Sequence, residues 1–334
     1  MDVDAEPSHE PHRLEELWFE DGNLVIQAQN TLYRVYRGFL SSRSTVFEDM
    51  LAFPQPPDAE LVEGCPLVCL PDPENEVTPF LKAIFLPEFF MPFPARTNFD
   101  DICGCLRLSN KYQVDYLRTR SLVHLSSAFP MDLQQADRNY YDTTAAGWDA
   151  LGGWGASWPR PDESMFRIRA ILLAREVEAT WILPWAFYDL SLLIAREGTS
   201  ILRETQSSFQ EIQFAFLDGH QQQIITTSGI LAYLGNKIVG CQTPQQCDQG
   251  RLHALEKALD SFLKYAALSL HIWDNHDWQS VASHFCATCL NGLKDALENA
   301  RKDFFSNLPN MYDCPSWEEL KQMRTAAIGA NPFD

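Results

Sequence analysis

Residues 18–50 read WFEDGNLVIQAQNTLYRVYRGFLSSRSTVFEDM, and the fold is decided in this stretch. Leu24 and Ile26 alternate within Asn23 to Ala28, Gln29, Asn30 and Thr31 supply turn-forming polar groups, and Tyr33 with Val35 marks a returning strand. A hairpin with one buried face is predicted. After Gly38 the period changes: Phe39 and Leu40 are followed by Val46, Phe47, Met50 and Leu51, the spacing of two short helices. Thr45 and Glu48 are placed as a capping box for the second.

Beyond the hairpin and helix pair, Pro54 to Gly64 is proline-rich and acidic and reads as a loop, and Leu67, Val68 and Leu70 read as a third strand ended by Pro71 and Pro73. A strand arriving so late must pair non-locally with the hairpin. Thr78 and Pro79 form a candidate N-cap and first turn for a helix bearing Phe80, Leu81, Ile84 and Phe85 and stopping at Pro87. The apolar run Phe89, Phe90, Met91 and Phe93 follows, with core packing and an interface as its two readings. Phe99, Ile102, Cys103 and Leu106 share one helical face, and Leu122, Leu125 and Phe129 form another before Pro130.

The segments WFEDGNLVIQ, LYRVYRGFL, SRSTVFEDML, GCPLVCLPD, FLKAIF and LRLSNKYQVDYLRTRSLVHL, in that order over residues 14–130, resemble the BTB (POZ) domains abundant in fungal proteins. The resemblance implies an α+β module for protein–protein recognition, with a short three-stranded sheet and about five helices. It implies a dimer interface built from the first helices and the N-terminal elements, here Leu17, Trp18, Phe19, Phe39, Leu40, Phe47 and Met50. It also implies two kinds of job: an adaptor that binds a cullin scaffold in a ubiquitin ligase, or a component of a transcriptional assembly. Tyr36 and Arg37 replace a His-Lys pair common in the animal domains, and Phe85, Leu86 and Pro87 replace a usual aromatic helix end. These departures bear on partner contacts more than on fold.

The 334 residues, 46% of them hydrophobic, suffice for two packed domains. A net charge of -19 opposes phosphate contacts, so no direct nucleic-acid partner is expected. The longest apolar runs break well short of the ~20 residues of a membrane span, and the acidic first residues lack the apolar segment of a secretory signal. A cytoplasmic or nuclear protein without membrane contact is expected. Nine cysteines in such a chain read as free thiols or metal ligands.

Residues 1–13 are acidic and nearly devoid of apolar side chains, which predicts a flexible tail. Residues 131–162 mix Tyr140, Tyr141, Trp148, Trp154 and Trp158 with glycine and proline, predicting an irregular connector that packs against a domain or presents an aromatic binding loop. From 163 to 334 an all-α domain of six to eight helices is predicted. Its stripes are Met165, Ile168 and Leu172; Trp185, Tyr188 and Leu192 after Pro184; Leu252, Leu255, Leu259, Leu263 and Ala266; and Leu290, Leu293, Leu297, Ala300 and Phe304. Ser316 and Glu319 are spaced as a capping box for a last helix.

Two constellations carry candidate chemistry. Cys241, Cys247, Cys286 and Cys289 form two pairs whose thiolates suffice for a closed tetrahedral zinc site, structural in role because no position remains for substrate; plain core or surface cysteines are the alternative. His271, His276 and His284 with Asp274 and Asp277 offer open-site ligand types, but without a compact ligand motif they read better as a capped, solvated turn. No nucleophile elbow, Walker loop or dinucleotide fingerprint is present. The expectation is a non-enzymatic interaction protein; a metal-dependent enzyme in the helical half, acting through His271 and His276, is the alternative.

Overall fold

The computed structural model describes residues 11–53, 60–138, 157–159, 161, 165–197, 207–330 and 332–333. The chain is mixed α/β and divides into two compact units: Met1–Ala128 with Asn139–Pro161 and Thr325–Asp334, and Phe129–Arg138 with Asp162–Arg324. The expected borders at 130 and 163 thus shift, because residues 129–138 join the helical unit. Residues 1–10 of the expected tail lie outside the described residues, as do Tyr140, Tyr141, Trp148 and Trp154 of the expected connector.

The first unit carries β1 (His12–Trp18), β2 (Leu24–Ala28), β3 (Thr31–Val35), β4 (Leu61–Val62) and β5 (Cys65–Leu70) in one sheet of order β1-β3-β2-β5-β4. Five strands stand where three are expected. The hairpin forms as read: β2 and β3 pair antiparallel with Ala28 opposite Thr31, and Gln29 takes φ 49 in the two-residue turn. β5 returns to lie parallel to β2, Val25 opposite Leu67. Two strands are missed: β4, a two-residue strand at the end of the stretch read as a loop, antiparallel to β5, and β1, parallel to β3, which begins at His12 inside the expected tail. Only Leu17 of its seven residues is fully buried, so backbone pairing and not apolar alternation holds it.

The expected single buried face is corrected, since strand β2 is buried on both faces. Leu24, Ile26 and Ala28 enter the main core with Tyr33 and Val35, while Val25 joins Leu32 and Cys65 in a second cluster covered by Trp18, Val62 and Leu67. Helices α1 (Arg37–Ser41), α2 (Thr45–Ala52), α3 (Glu74–Phe85), α4 (Phe99–Lys111) and α5 (Asp115–Ser126) complete the unit. Two starts differ from expectation. Ser44, not Thr45, caps α2 by accepting from the Phe47 amide at 3.0 Å. Helix α3 begins at Glu74, after the extended Pro73, with Glu74 and Glu76 favouring its first turn, and so carries Thr78 and Pro79 in its interior. The face Phe99, Ile102, Cys103 and Leu106 is buried as read.

The second unit comprises α6 (Phe166–Glu176), α7 (Leu183–Glu197), α8 (Ser207–Ala232), α9 (Pro244–Tyr265), α10 (Asn275–Val281), α11 (Ala287–Met311) and the start of α12 (Trp317–Ile328). Residues 133–138 are also helical. The α11 stripe Leu293, Leu297, Ala300 and Phe304 is buried, and the Ser316–Glu319 capping box forms, the Ser316 amide donating to the Glu319 carboxylate at 2.9 Å. On α6 the buried side chains are Phe166, Ile168, Ala170, Ile171, Leu173 and Ala174, with Met165 and Leu172 at the margin. Helix α9 is turned the other way from expectation. Cys247, Gly250, Ala254 and Ala258 face inward, while Leu252, Leu259 and Leu263 are 65%, 59% and 75% exposed. Small residues win the inner face because they let the backbone approach its neighbours. No helix among the described residues is long and apolar enough to cross a membrane.

Candidate functional site

The second unit gathers Cys241, Cys247, Cys286 and Cys289, whose four sulfurs all lie within 4.8 Å of one another. Three segments deliver them. Cys241 follows Gly240, whose φ of 81 turns the loop into place; Cys247 sits in the first turn of α9 behind Pro244; Cys286 caps the N-terminus of α11 and Cys289 is its third residue. Gly250 on α9 makes the approach possible, since a Cβ there would stand 2.7 Å from the carbonyl oxygen of His284, two residues before Cys286. All nine cysteines of the chain are free thiols.

Donors surround the sulfurs. The Cys286 amide donates to Cys247 Sγ at 3.3 Å, the Cys289 amide to Cys286 Sγ at 3.5 Å, and Thr243 Oγ1 lies 3.3 Å from Cys247 Sγ. The amides of Gln242 and Cys289 bring the Cys286 thiol down to about 6, and its place at the N-terminus of α11 works in the same direction. Burial opposes ionisation of Cys247, but the Thr243 hydroxyl and the Cys286 amide outweigh it and lower the pKa. Cys289, fully buried among the other three sulfurs, is pushed up to about 12. Cys241 and Cys286 are half-buried, so the group is open on one side. Four thiols converging in this way, none in a disulfide, are positioned to hold a metal ion.

The histidines and aspartates between residues 271 and 284 do not converge. Asp274 accepts from the His276 and Asp277 amides, and Asp277 accepts in return from the Asp274 amide at 3.0 Å, a complete capping box at the start of α10. His271 is buried near Asp137, 3.8 Å away, and burial followed by the Arg301 charge drops its pKa to about 3. His284 stacks edge-on against His253. A Ser191–His220 pair, 2.5 Å apart, is of nucleophile type, yet Ser191 is fully buried and burial lowers the His220 pKa, so the pair is packing. Among the described residues the four cysteines form the cluster able to hold a metal.

The interface residues named from the sequence separate into two sets. Leu17, Leu40 and Phe47 are fully buried in the first unit's own core, Phe47 stacked on Tyr112 at 4.6 Å, and are not available to a partner. Trp18, Phe19 and Met50 are half-buried and Phe39 is 39% exposed. Phe39 belongs to an aromatic strip: Phe85 lies 5.5 Å from Phe39 and 6.0 Å from Phe19, Tyr36 lies 5.0 Å from Phe19, and the Arg43 guanidinium stands 5.1 Å over Phe39. The sequence marks Tyr36 and Phe85 as departures bearing on partner contacts but does not place them with Phe39, and Arg43 it misses; no local period marks the group, since separate elements bring it together. The run at 89–93 divides, with Phe90 in the core beside His124, Phe93 edge-on to Phe333, and Met91 exposed. Trp158 is buried on Phe99, its indole N–H donating to the His124 carbonyl at 2.7 Å. No family model, curated protein or solved structure matches the chain.

Proposed function

We propose that the chain is a non-enzymatic protein-interaction protein whose first unit works as a BTB-like recognition module, forming a homodimer or recruiting a protein partner. The observation that carries this reading is the aromatic strip Phe19, Tyr36, Phe39 and Phe85 with Arg43, a preformed surface of the aromatic and arginine side chains that dominate protein interfaces. The order of hairpin, helix pair, crossover strand and helices, which the resemblance to BTB domains implies, supports it further. In the adaptor reading the recruited partner is a cullin scaffold.

The four cysteines belong to this proposal as a structural zinc site. A tetrahedral Zn–S distance of about 2.3 Å gives sulfur separations of about 3.8 Å, so a contraction of about 1 Å from the present spread forms the site. Such an ion joins the loop before α9 to the first turns of α9 and α11, and four thiolates leave no position for a substrate.

Affinity purification of tagged protein from its own cells, beside a Phe39→Asp control, tests the recognition reading. Recovery of a cullin scaffold that the control loses supports the adaptor; recovery of chromatin proteins instead removes it. If Phe39→Asp changes neither bound proteins nor self-association, the strip is not a recognition surface. Metal content of the purified protein tests the zinc site, and thiol titration with less than one equivalent of metal sinks it.

A further inference from the structure

The four sulfurs of the second unit are not equally open to solvent. Cys247 and Cys289 are fully buried, whereas Cys241 and Cys286 are half-buried and form the open side of the group. Cys286 and Cys289 also share the start of one helix: Cys286 caps α11, Cys289 lies three positions on, and the Cys289 amide donates to Cys286 Sγ at 3.5 Å. One turn of helix puts two such Cα atoms about 5 Å apart, inside the range of about 4.4–6.8 Å that a disulfide spans. A reachable sulfur thus stands within 4.8 Å of a buried one, on backbone already suited to joining them. Cys69 of the first unit is the more exposed thiol, but its sulfur contacts the Gln27 side-chain oxygen, at 3.9 Å.

We propose that the four-thiol group is a site of reversible oxidation by hydrogen peroxide, with Cys286 the reacting thiol and Cys289 the resolving one, and that closing this pair releases the zinc. The release rests on the structural zinc reading; the disulfide does not. Metal ligation holds the sulfurs as thiolates, the form that attacks peroxide, and only a sulfur on the open side can be reached. The Cys286 thiolate attacks one peroxide oxygen, the O–O bond breaks, and hydroxide leaves a sulfenic acid behind. The Cys289 thiolate then attacks that sulfur, the S–O bond breaks, and a second hydroxide departs as the disulfide forms. Two protons from solvent turn both hydroxides into water, and the two electrons gained by the peroxide come from the two sulfurs. Cys241 and Cys247 remain, two thiolates where a closed site needs four, so zinc is given up without changing its oxidation state. A purely structural site is best served by four shielded sulfurs. An open sulfur beside a buried partner one helical turn away is the opposite arrangement, and it couples the joint between α9 and α11 to oxidant.

The test treats the full chain, purified with its metal, with hydrogen peroxide at up to one equivalent per chain. Released zinc is read with a chromogenic chelator, and the cysteines are mapped by differential alkylation and peptide mass spectrometry. The expected result is about one zinc released per peroxide consumed, a disulfide joining Cys286 to Cys289, and return of both thiols with dithiothreitol. Cys286 should react about 10-fold or more faster than Cys69, although exposure alone favours Cys69. The proposal is overturned if zinc stays bound, if Cys69 reacts first, if the disulfide joins another pair, or if Cys286 passes to sulfinic and sulfonic acids with no disulfide. A chain purified without metal overturns the zinc reading alone. Peroxide mapping of that metal-free chain then decides the thiol pair, the disulfide between Cys286 and Cys289 supporting it and any other product sinking it.

Discussion

The backbone amide of Cys286 donates to the sulfur of Cys247, 39 positions earlier in the chain, at 3.3 Å. One bond thereby ties the capping residue of α11 to the first turn of α9, and both sulfurs belong to the four-thiol group. The same amides that cap a helix thus stabilise thiolate charge, which is the electrostatic preparation a cation site needs.

Removing one sulfur from that group tests it directly. Cys289→Ser is expected to bring zinc content from about one equivalent per chain to near zero, measured by elemental mass spectrometry. The second unit's unfolding midpoint should fall with it and should no longer respond to a chelator, while Cys69→Ser, at an exposed cysteine of the first unit, leaves both unchanged.

Glycine at position 250 sets two effects against each other. Alanine gains about 1 kcal/mol of helix propensity, but its Cβ would lie 2.7 Å from the His284 carbonyl oxygen, a backbone atom with little room to move. The steric cost of 1–3 kcal/mol typical of overpacking prevails, so Gly250→Ala is expected to destabilise the unit by about 1 kcal/mol and weaken metal retention. Gly229→Ala, where nothing lies within 4 Å, should instead stabilise it by up to about 1 kcal/mol. Urea unfolding of the two variants separates the cases.

Acid sensitivity should follow His271. Its folded pKa of about 3 lies below the unfolded value near 6.5, so the unfolded chain binds the proton first. Stability is therefore full above pH 6.5 and is lost as pH falls toward 3. The slope is about 1.4 kcal/mol per pH unit, of order 2 kcal/mol by pH 5. Urea titrations at pH 7.5 and 5 should show this loss in the native chain and a smaller one in His271→Gln.

Two phenylalanines eight residues apart should behave in opposite ways. Phe47→Ala removes a fully buried ring and is expected to cost 3–5 kcal/mol of first-unit stability. Phe39→Ala, at an exposed ring under Arg43, should cost less than about 1 kcal/mol yet weaken partner binding or self-association. Thermal unfolding and sedimentation of each variant give the two readouts.

Much of this architecture is readable along the chain where burial and period coincide. The β2–β3 hairpin announces itself through its turn residues between two short apolar runs, and the buried face of α4 and the α11 stripe through one side of a regular helix meeting the core. The four cysteines were legible as a set, though not their convergence, which depends on Gly240 and Gly250 rather than on cysteine spacing. Strand β1 escaped notice because an edge strand held by backbone bonds needs no apolar pattern. Helix α9 misled for the opposite reason: its strongest stripe, at Leu252, Leu259 and Leu263, points outward, and alanine and glycine on the inner face carry little hydrophobic signal.

The parallel pairing of β2 with β5 also governs when the first unit can take shape during synthesis. The hairpin closes through a two-residue turn, but the other edge of β2 stays unpaired until Leu67 to Leu70 have emerged from the ribosome. A fragment ending before Leu70 leaves that edge open beside the apolar side chains of Val25 and Ile26, a template for another chain. Expression of the first unit should therefore succeed only with fragments that extend past β5 into the helices that cover it, and shorter ones should collect in the insoluble fraction.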